Sequence, residues 1–234
     1  MKLRPLLKFA LFAISALALT LVTPVFAQTT VPKPPPIKID FVLTWQAQTT
    51  APQGYTGKIL PARGTKIKVF AQPMSDDKPV DLTGYEISWT VNGVPLPQEQ
   101  NKKSIQFMAG LYGASQYNVA VRARQENTIV GQTTITIPIV APKVIIDIPY
   151  PNQITPREDV LLRALLYFLP EETARRARVS WMINGVNISA EDTFGDLLNT
   201  SFDGKASDIP VSVSVRNGDT REIVANALTH ISIQ

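Results

Sequence analysis

The sequence predicts an all-β chain, two tandem antiparallel β-sandwiches behind an N-terminal signal helix, and three observations predict it. Apolar residues recur with a period of two in run after run, the mark of strands with one buried face. Long helical periodicity does not alternate with these runs, which excludes a parallel α/β arrangement. The same stretch of sequence also occurs twice: Ile87-Ser88-Trp89-Thr90-Val91-Asn92-Gly93-Val94 returns 92 residues later as Val179-Ser180-Trp181-Met182-Ile183-Asn184-Gly185-Val186.

The elements follow in chain order. Residues 1–27 read as a signal peptide, with Lys2, Arg4 and Lys8 as basic residues, an apolar run from Phe9 to Val22, and Val25-Phe26-Ala27 as the cleavage site. An uncleaved anchor is the competing reading, since Phe9 to Phe26 as a helix would reach roughly 27 Å. Pro24 favours cleavage. Residues 28–36 are a Pro-rich spacer expected to be extended. The first sandwich is expected over 37–142 and the second over 143–234.

In the first sandwich the alternating runs are Ile39/Phe41/Leu43/Trp45, Ile67/Val69/Ala71, Ile87/Trp89/Val91, Tyr117/Val119/Val121 and Ile135/Ile137/Ile139. Their counterparts are Val144/Ile146/Ile148, Leu162/Ala164/Leu166, Val179/Trp181/Ile183, Ile209/Val211/Val213/Val215 and Ile231/Ile233. Val160 to Phe168 is apolar almost throughout and fits a helix as well as a strand. Its repeat partner, Lys66 to Ala71, alternates cleanly and decides for a strand. A helical turn is expected over Pro170 to Arg176, where a proline leads and acids precede bases. Asn92-Gly93 and Asn184-Gly185 predict two-residue hairpins, because a type I′ turn needs positive φ at both central residues. Trp89 and Trp181 are the expected anchors of the two cores, each burying on the order of 200 Å². No cysteine is present, so no disulfide reinforces either core.

Trp-x-hydrophobic-Asn-Gly, followed about thirty residues later by Tyr117-x-Val119-x-Val121 or Ile209-x-Val211-x-Val213, resembles the bacterial immunoglobulin-like and PKD-like domains of exported envelope proteins. The resemblance implies that Trp89 and Trp181 lie on strand C and the valine-rich runs on strand F. It spans residues 37 to 234. The second repeat departs from it in having Ile209 where the first has Tyr117, so a tyrosine corner is open only to the first. For function the resemblance implies adhesion, spacing, assembly or carbohydrate binding without choosing among them.

Charge excludes one class of partner. The leader carries three of the 23 basic residues and none of the 19 acidic ones, so the rest is nearly neutral and has no field for nucleic acid. The halves differ in sign, with 11 basic against 7 acidic residues in 28–142 and 9 against 12 in 143–234. That polarity suits contacts between copies of the chain.

Catalytic patterns are poor. His230 is the only histidine, no nucleophile-elbow motif accompanies it, and the adjacent acids Asp76-Asp77, Glu158-Asp159 and Glu191-Asp192 sit in turn-like sequence. No enzyme activity and no cofactor are expected. A calcium site is conceivable around Glu191, Asp192 and Asp196, with Asp203 and Asp208 nearby, although their spacing matches no calcium loop. Tyr55, Tyr112, Tyr150 and Tyr167 are the candidates for stacking on a glycan, Tyr55 above all because it lies in the long segment Gln46 to Gly64. The expected function is a non-catalytic structural or adhesive module of the bacterial envelope. It would be exported, to the extracellular medium, the cell surface or the periplasm, and act by contacts with an envelope or surface protein or with itself, touching the membrane only through an uncleaved leader. The alternative is a glycan-binding module.

Overall fold

A computed structural model describes residues 37–110, 115–149, 159–188, 193–202 and 208–233. The leader, the spacer, Tyr112, Tyr150, Glu191 and Asp192 lie outside the described residues. The described residues are almost all β: among them are sixteen strands, one short α-helix and one 3-10 turn over Pro97–Glu99. Among the described residues no helix is long and apolar enough to cross a membrane.

The first sandwich comprises β1 (Asp40–Ala47), β2 (Lys66–Ser75), β3 (Lys78–Pro79), β4 (Glu86–Val91), β5 (Val94–Pro95), β6 (Ser104–Met108), β7 (Gln116–Gln125) and β8 (Thr128–Pro138). One sheet places β2 between β1 and β6, with β3 folding back on the end of β2. The other runs β5-β4-β7-β8. The second sandwich repeats the plan with β9 (Lys143–Asp147), β10 (Asp159–Tyr167), β11 (Arg178–Ile183), β12 (Val186–Asn187), β13 (Thr193–Phe194), β14 (Leu197–Ser201), β15 (Asp208–Arg216) and β16 (Ile223–Ser232). Its sheets run β13-β14-β10-β9 and β12-β11-β15-β16. The tryptophan strand therefore neighbours the valine-rich strand in each copy, as C neighbours F in an immunoglobulin-like sandwich.

Alternation builds the cores. Along β7 the side chains of Tyr117, Val119, Val121 and Ala123 are buried while those between them face outward, and β15 does the same with Ile209, Val211, Val213 and Val215. The buried apolar residues separate into two clusters, Ile39 to Ile137 around Trp89 and Val144 to Ile231 around Trp181. Both indoles are essentially inaccessible, at 1% and 0% exposure.

Local sequence sets the turns. Asn92 and Gly93 have φ of 49° and 78°, Asn184 and Gly185 47° and 78°, so each pair closes a two-residue hairpin next to its tryptophan strand. Asn92 also accepts the Asn118 N–H through Oδ1 at 2.8 Å, tying the hairpin to β7. Both copies carry a bulge at the matching place, between Ala123 and Arg124 and between Val215 and Arg216. Gly131 lies opposite the first bulge, where an added Cβ would run into the Ile39 carbonyl oxygen, so only glycine lets β1 approach β8. The buried Tyr117 accepts the Gly110 N–H on its phenolic oxygen at 2.6 Å and meets Phe107 edge-on, which makes a tyrosine corner in the first sandwich.

Candidate functional site

The segment from Gln48 to Thr65, between β1 and β2, is folded rather than slack. Thr49, only 6% exposed, donates its hydroxyl to the Leu60 carbonyl at 2.9 Å. Lys58 Nζ donates to the Trp45 carbonyl at 2.9 Å and sits 4.4 Å from the centre of the Trp45 ring. Tyr55 follows a turn closed by its own N–H on the Pro52 carbonyl, with Gly54 at φ 84°. Its hydroxyl donates to the Lys58 carbonyl at 3.2 Å.

This loop engages the second sandwich. Thr50 N–H donates to the Leu169 carbonyl at 2.8 Å, Phe168 N–H donates to the Thr50 carbonyl at 2.8 Å, and Glu171 N–H donates to the Gln48 carbonyl at 3.2 Å. Thr49 and Pro170 thus form an isolated antiparallel bridge. The hydrogen bonds flank that pair rather than join it, so the missing N–H of Pro170 costs nothing there. Pro170 then leads into the helix α1 (Glu171–Arg176), where Arg175 pairs with Glu171 at 3.7 Å and Glu172 at 3.8 Å.

Three aromatic rings cover the joint. Tyr55 meets Tyr167 at 5.8 Å between centroids and Phe168 at 5.9 Å, both edge-on, and Tyr167 lies 6.0 Å from Phe168. Phe168 adopts φ 58°, a conformation that a bulky side chain enters only when its surroundings hold it there. Beside the joint an open cavity of about 400 Å³ is lined by Thr50, Pro52, Gln53, Arg163, Leu165 and Asp196.

Tyr55 is therefore partly covered, at 37% exposure, and its ring edge is engaged by the neighbouring sandwich. Asp196 is exposed on the cavity wall, and its carbonyl accepts the Ala164 N–H at 2.7 Å. Among the described residues no three acids, histidines or cysteines converge as metal ligands. His230 Nδ1 lies 3.0 Å from Asp208 Oδ2, with both side chains more than half exposed. No hydroxyl is hydrogen-bonded to that ring among the described residues.

Sequence reasoning missed the joint itself. One signal was there: Tyr167 and Phe168 are consecutive aromatics, and a strand covered on one face cannot bury both, so something had to cover the other. It also missed a group of arginines at one end of the second sandwich. Arg178, Arg216 and Arg221 line a cavity of about 200 Å³ with Asn217 and Gly218. Nearby, Arg176 Nη1 donates to Asp219 Oδ2 at 2.6 Å, a bond and a charge that raise the guanidinium above its ordinary value.

No family model matches the chain, and no curated protein matches it either. Among solved structures it is similar to the fibronectin(III)-like modules of Clostridium thermocellum CbhA, at 12% identity over 81% of this chain and 94% of that one, with a TM-score of 0.30. The three N-terminal domains of the highly immunogenic outer capsid protein of bacteriophage RB49 match at 15% identity, 82% and 59% coverage, and a TM-score of 0.41. Immunoglobulin domains 1–4 of Sidekick-1 match at 10% identity, 75% and 45% coverage, and a TM-score of 0.31. The chain thus spans 59% and 45% of the length of the latter two. Two of these three are described as immunoglobulin or fibronectin-III-like domains.

Proposed function

We propose that the protein is an exported, non-catalytic structural or adhesive module of the bacterial cell envelope, in which two sandwiches, 37–142 and 143–234, act by contact with other proteins. The observation that supports this reading is the joint. The long loop of the first sandwich, the place where such folds most readily bind ligands, is spent on a backbone bridge and an aromatic cluster with the second. Three interdomain backbone hydrogen bonds suit a spacer that must hold two domains at a set angle. They serve less well a binding mouth that must open to a sugar. Residues 28–36 would then stand the pair off from the envelope.

The reading is tested by mass spectrometry of the chain recovered from its native envelope, combined with cross-linking and glycan-array binding. A chain beginning at Gln28, cross-linked through residues of the two sandwiches to an envelope protein or a second copy and silent on the array, is the expected result. Saturable glycan binding that vanishes in Tyr55→Ala would replace it with the glycan-binding reading.

A further inference from the structure

Among the described residues, the second sandwich carries three arginines with no carboxylate paired to them. Arg178 opens β11, Arg216 closes β15, and the two are direct cross-strand partners. Both stand on the outward face, because Trp181 and Val215 take the inward one. Like charges directly opposed on a ladder repel each other. Arg221 reaches the same cavity from the β15–β16 turn, where it adopts φ 62°. Among the described residues no carboxylate lies within ion-pair distance of any of the three. Of the two acids in this turn, Asp219 faces Arg176 and Glu222 accepts the Thr220 hydroxyl at 3.4 Å.

The internal repeat sharpens the point. At the matching ladder position of the first sandwich Glu86 is opposite Arg124, so unlike charges share the register there, with Glu86 Oε1 accepting from Gln100 Nε2 at 2.8 Å rather than from the guanidinium. The second sandwich has arginine where the first has that glutamate. The turns differ as well. In the first, Glu126 and Asn127 close a two-residue turn between Gln125 and Thr128. In the second, the turn lengthens, and Asn217 N–H donates to the Glu222 carbonyl at 2.9 Å while Arg221 N–H donates to the Asn217 carbonyl at 2.9 Å. Gly218 lets this turn lie against the segment before β11, because a Cβ there would run into the Arg176 carbonyl oxygen. The longer turn is what delivers Arg221. This half of the chain is acidic on balance, 12 acids against 9 bases, so the cluster is no by-product of a basic domain.

We propose that Arg178, Arg216 and Arg221 form a binding site for a tetrahedral oxyanion, a phosphate or sulfate ester group. Guanidinium groups present rigid forks of donors, and a phosphate or sulfate has acceptor oxygens enough for several forks, whereas one carboxylate is filled by one. A bound dianion turns the Arg178–Arg216 repulsion into a shared attraction. The cavity, at about 200 Å³, exceeds the roughly 30 Å³ share of a water many times over and so admits such a group. The ester can belong to a polymer or to a lipid headgroup. The site stands whether or not the protein is an envelope module.

The test is titration of the purified full chain with inorganic phosphate by calorimetry at low ionic strength, for the parent, Arg178→Glu and Arg221→Ala. Arg178→Glu gives the second sandwich the opposed unlike charges that the ladder register of the first one has. It should fold with a thermal midpoint at or above the parent's while its phosphate affinity falls at least tenfold. Arg221→Ala should lose affinity without any change in midpoint. Saturable phosphate binding by the parent that survives Arg178→Glu, or no saturable binding by the parent, overturns the proposal. Retention on a phosphorylated polysaccharide or on phosphatidic acid vesicles, abolished by Arg178→Glu, supports the site and identifies the source. Retention on both that ignores the substitution overturns it.

Discussion

The two indoles are equivalent by sequence but not by hydrogen bonding, and replacing each with phenylalanine separates packing from polarity. Trp89 Nε1–H donates to the Lys102 carbonyl at 2.8 Å. Trp181 Nε1, equally buried, has no partner among the described residues. Both Trp→Phe changes remove the same atoms from a tightly packed interior, so the packing cost is similar and drops out of the comparison. Trp89→Phe also loses a hydrogen bond worth about 1 kcal/mol. Trp181→Phe removes a buried donor whose unsatisfied state itself costs about 1–3 kcal/mol. Trp181→Phe should therefore be the milder change by about 2–4 kcal/mol, the sum of those two effects. At ~4–8 °C per kcal/mol for a domain of this size, the gap is easily resolved. Native-state hydrogen exchange reads it copy by copy, since the amides of β4 and β7 report the first sandwich and those of β11 and β15 the second. Equal losses of protection in the two variants, or a larger loss in Trp181→Phe, would refute the reasoning.

Other outcomes follow from the same geometry. Tyr117→Phe should cost about 1–3 kcal/mol of first-sandwich stability by denaturant titration, because it strands the Gly110 N–H at a part-buried corner. Asn92→Val should destabilise the β4–β5 hairpin by about 1–2 kcal/mol, since a β-branched residue is strained at φ 49° and the bond to Asn118 is lost; amide exchange at Asn118 would report it. Tyr55→Ala should leave both cores folded while loosening the joint, read as faster proteolysis between Ile139 and Pro142 and a broader interdomain distance distribution; unchanged values would mean the rings do not hold it. The Asp81 carboxyl is held below its ordinary value by the Thr83 hydroxyl and then by the Thr83 N–H. Its support of that turn is present above the ordinary carboxylate range and fades as pH falls through the lowered value, so Thr83→Ala should raise the Asp81 titration seen by NMR.

What was legible in the sequence was whatever depends on neighbours along the chain. Period-two alternation marked β2, β4, β7, β11 and β15, the repeat resolved Val160 to Phe168 as a strand, which is β10 up to Tyr167, and a leading proline with acids before bases marked the helix at Glu171–Arg176. Asn-Gly announced both hairpins because positive φ is a local cost. The joint was not legible. Thr50 to Leu169 is a contact across more than a hundred residues, and nothing in the composition of Gln48–Thr65 distinguishes a loop that grips a neighbour from one that waits for a ligand. The arginine cavity was hidden differently: the reversal from Glu86 to Arg178 across the repeat gains meaning only once the ladder register sets those residues opposite Arg124 and Arg216.

Hydrogen exchange on Trp181→Ala addresses most directly whether each sandwich is built around its own indole. The substitution should cost about 3–5 kcal/mol. Amides of β10, β11 and β15 should lose their protection while those of β2, β4 and β7 keep theirs. Protection lost from both sets together, or from neither, would contradict two separate cores.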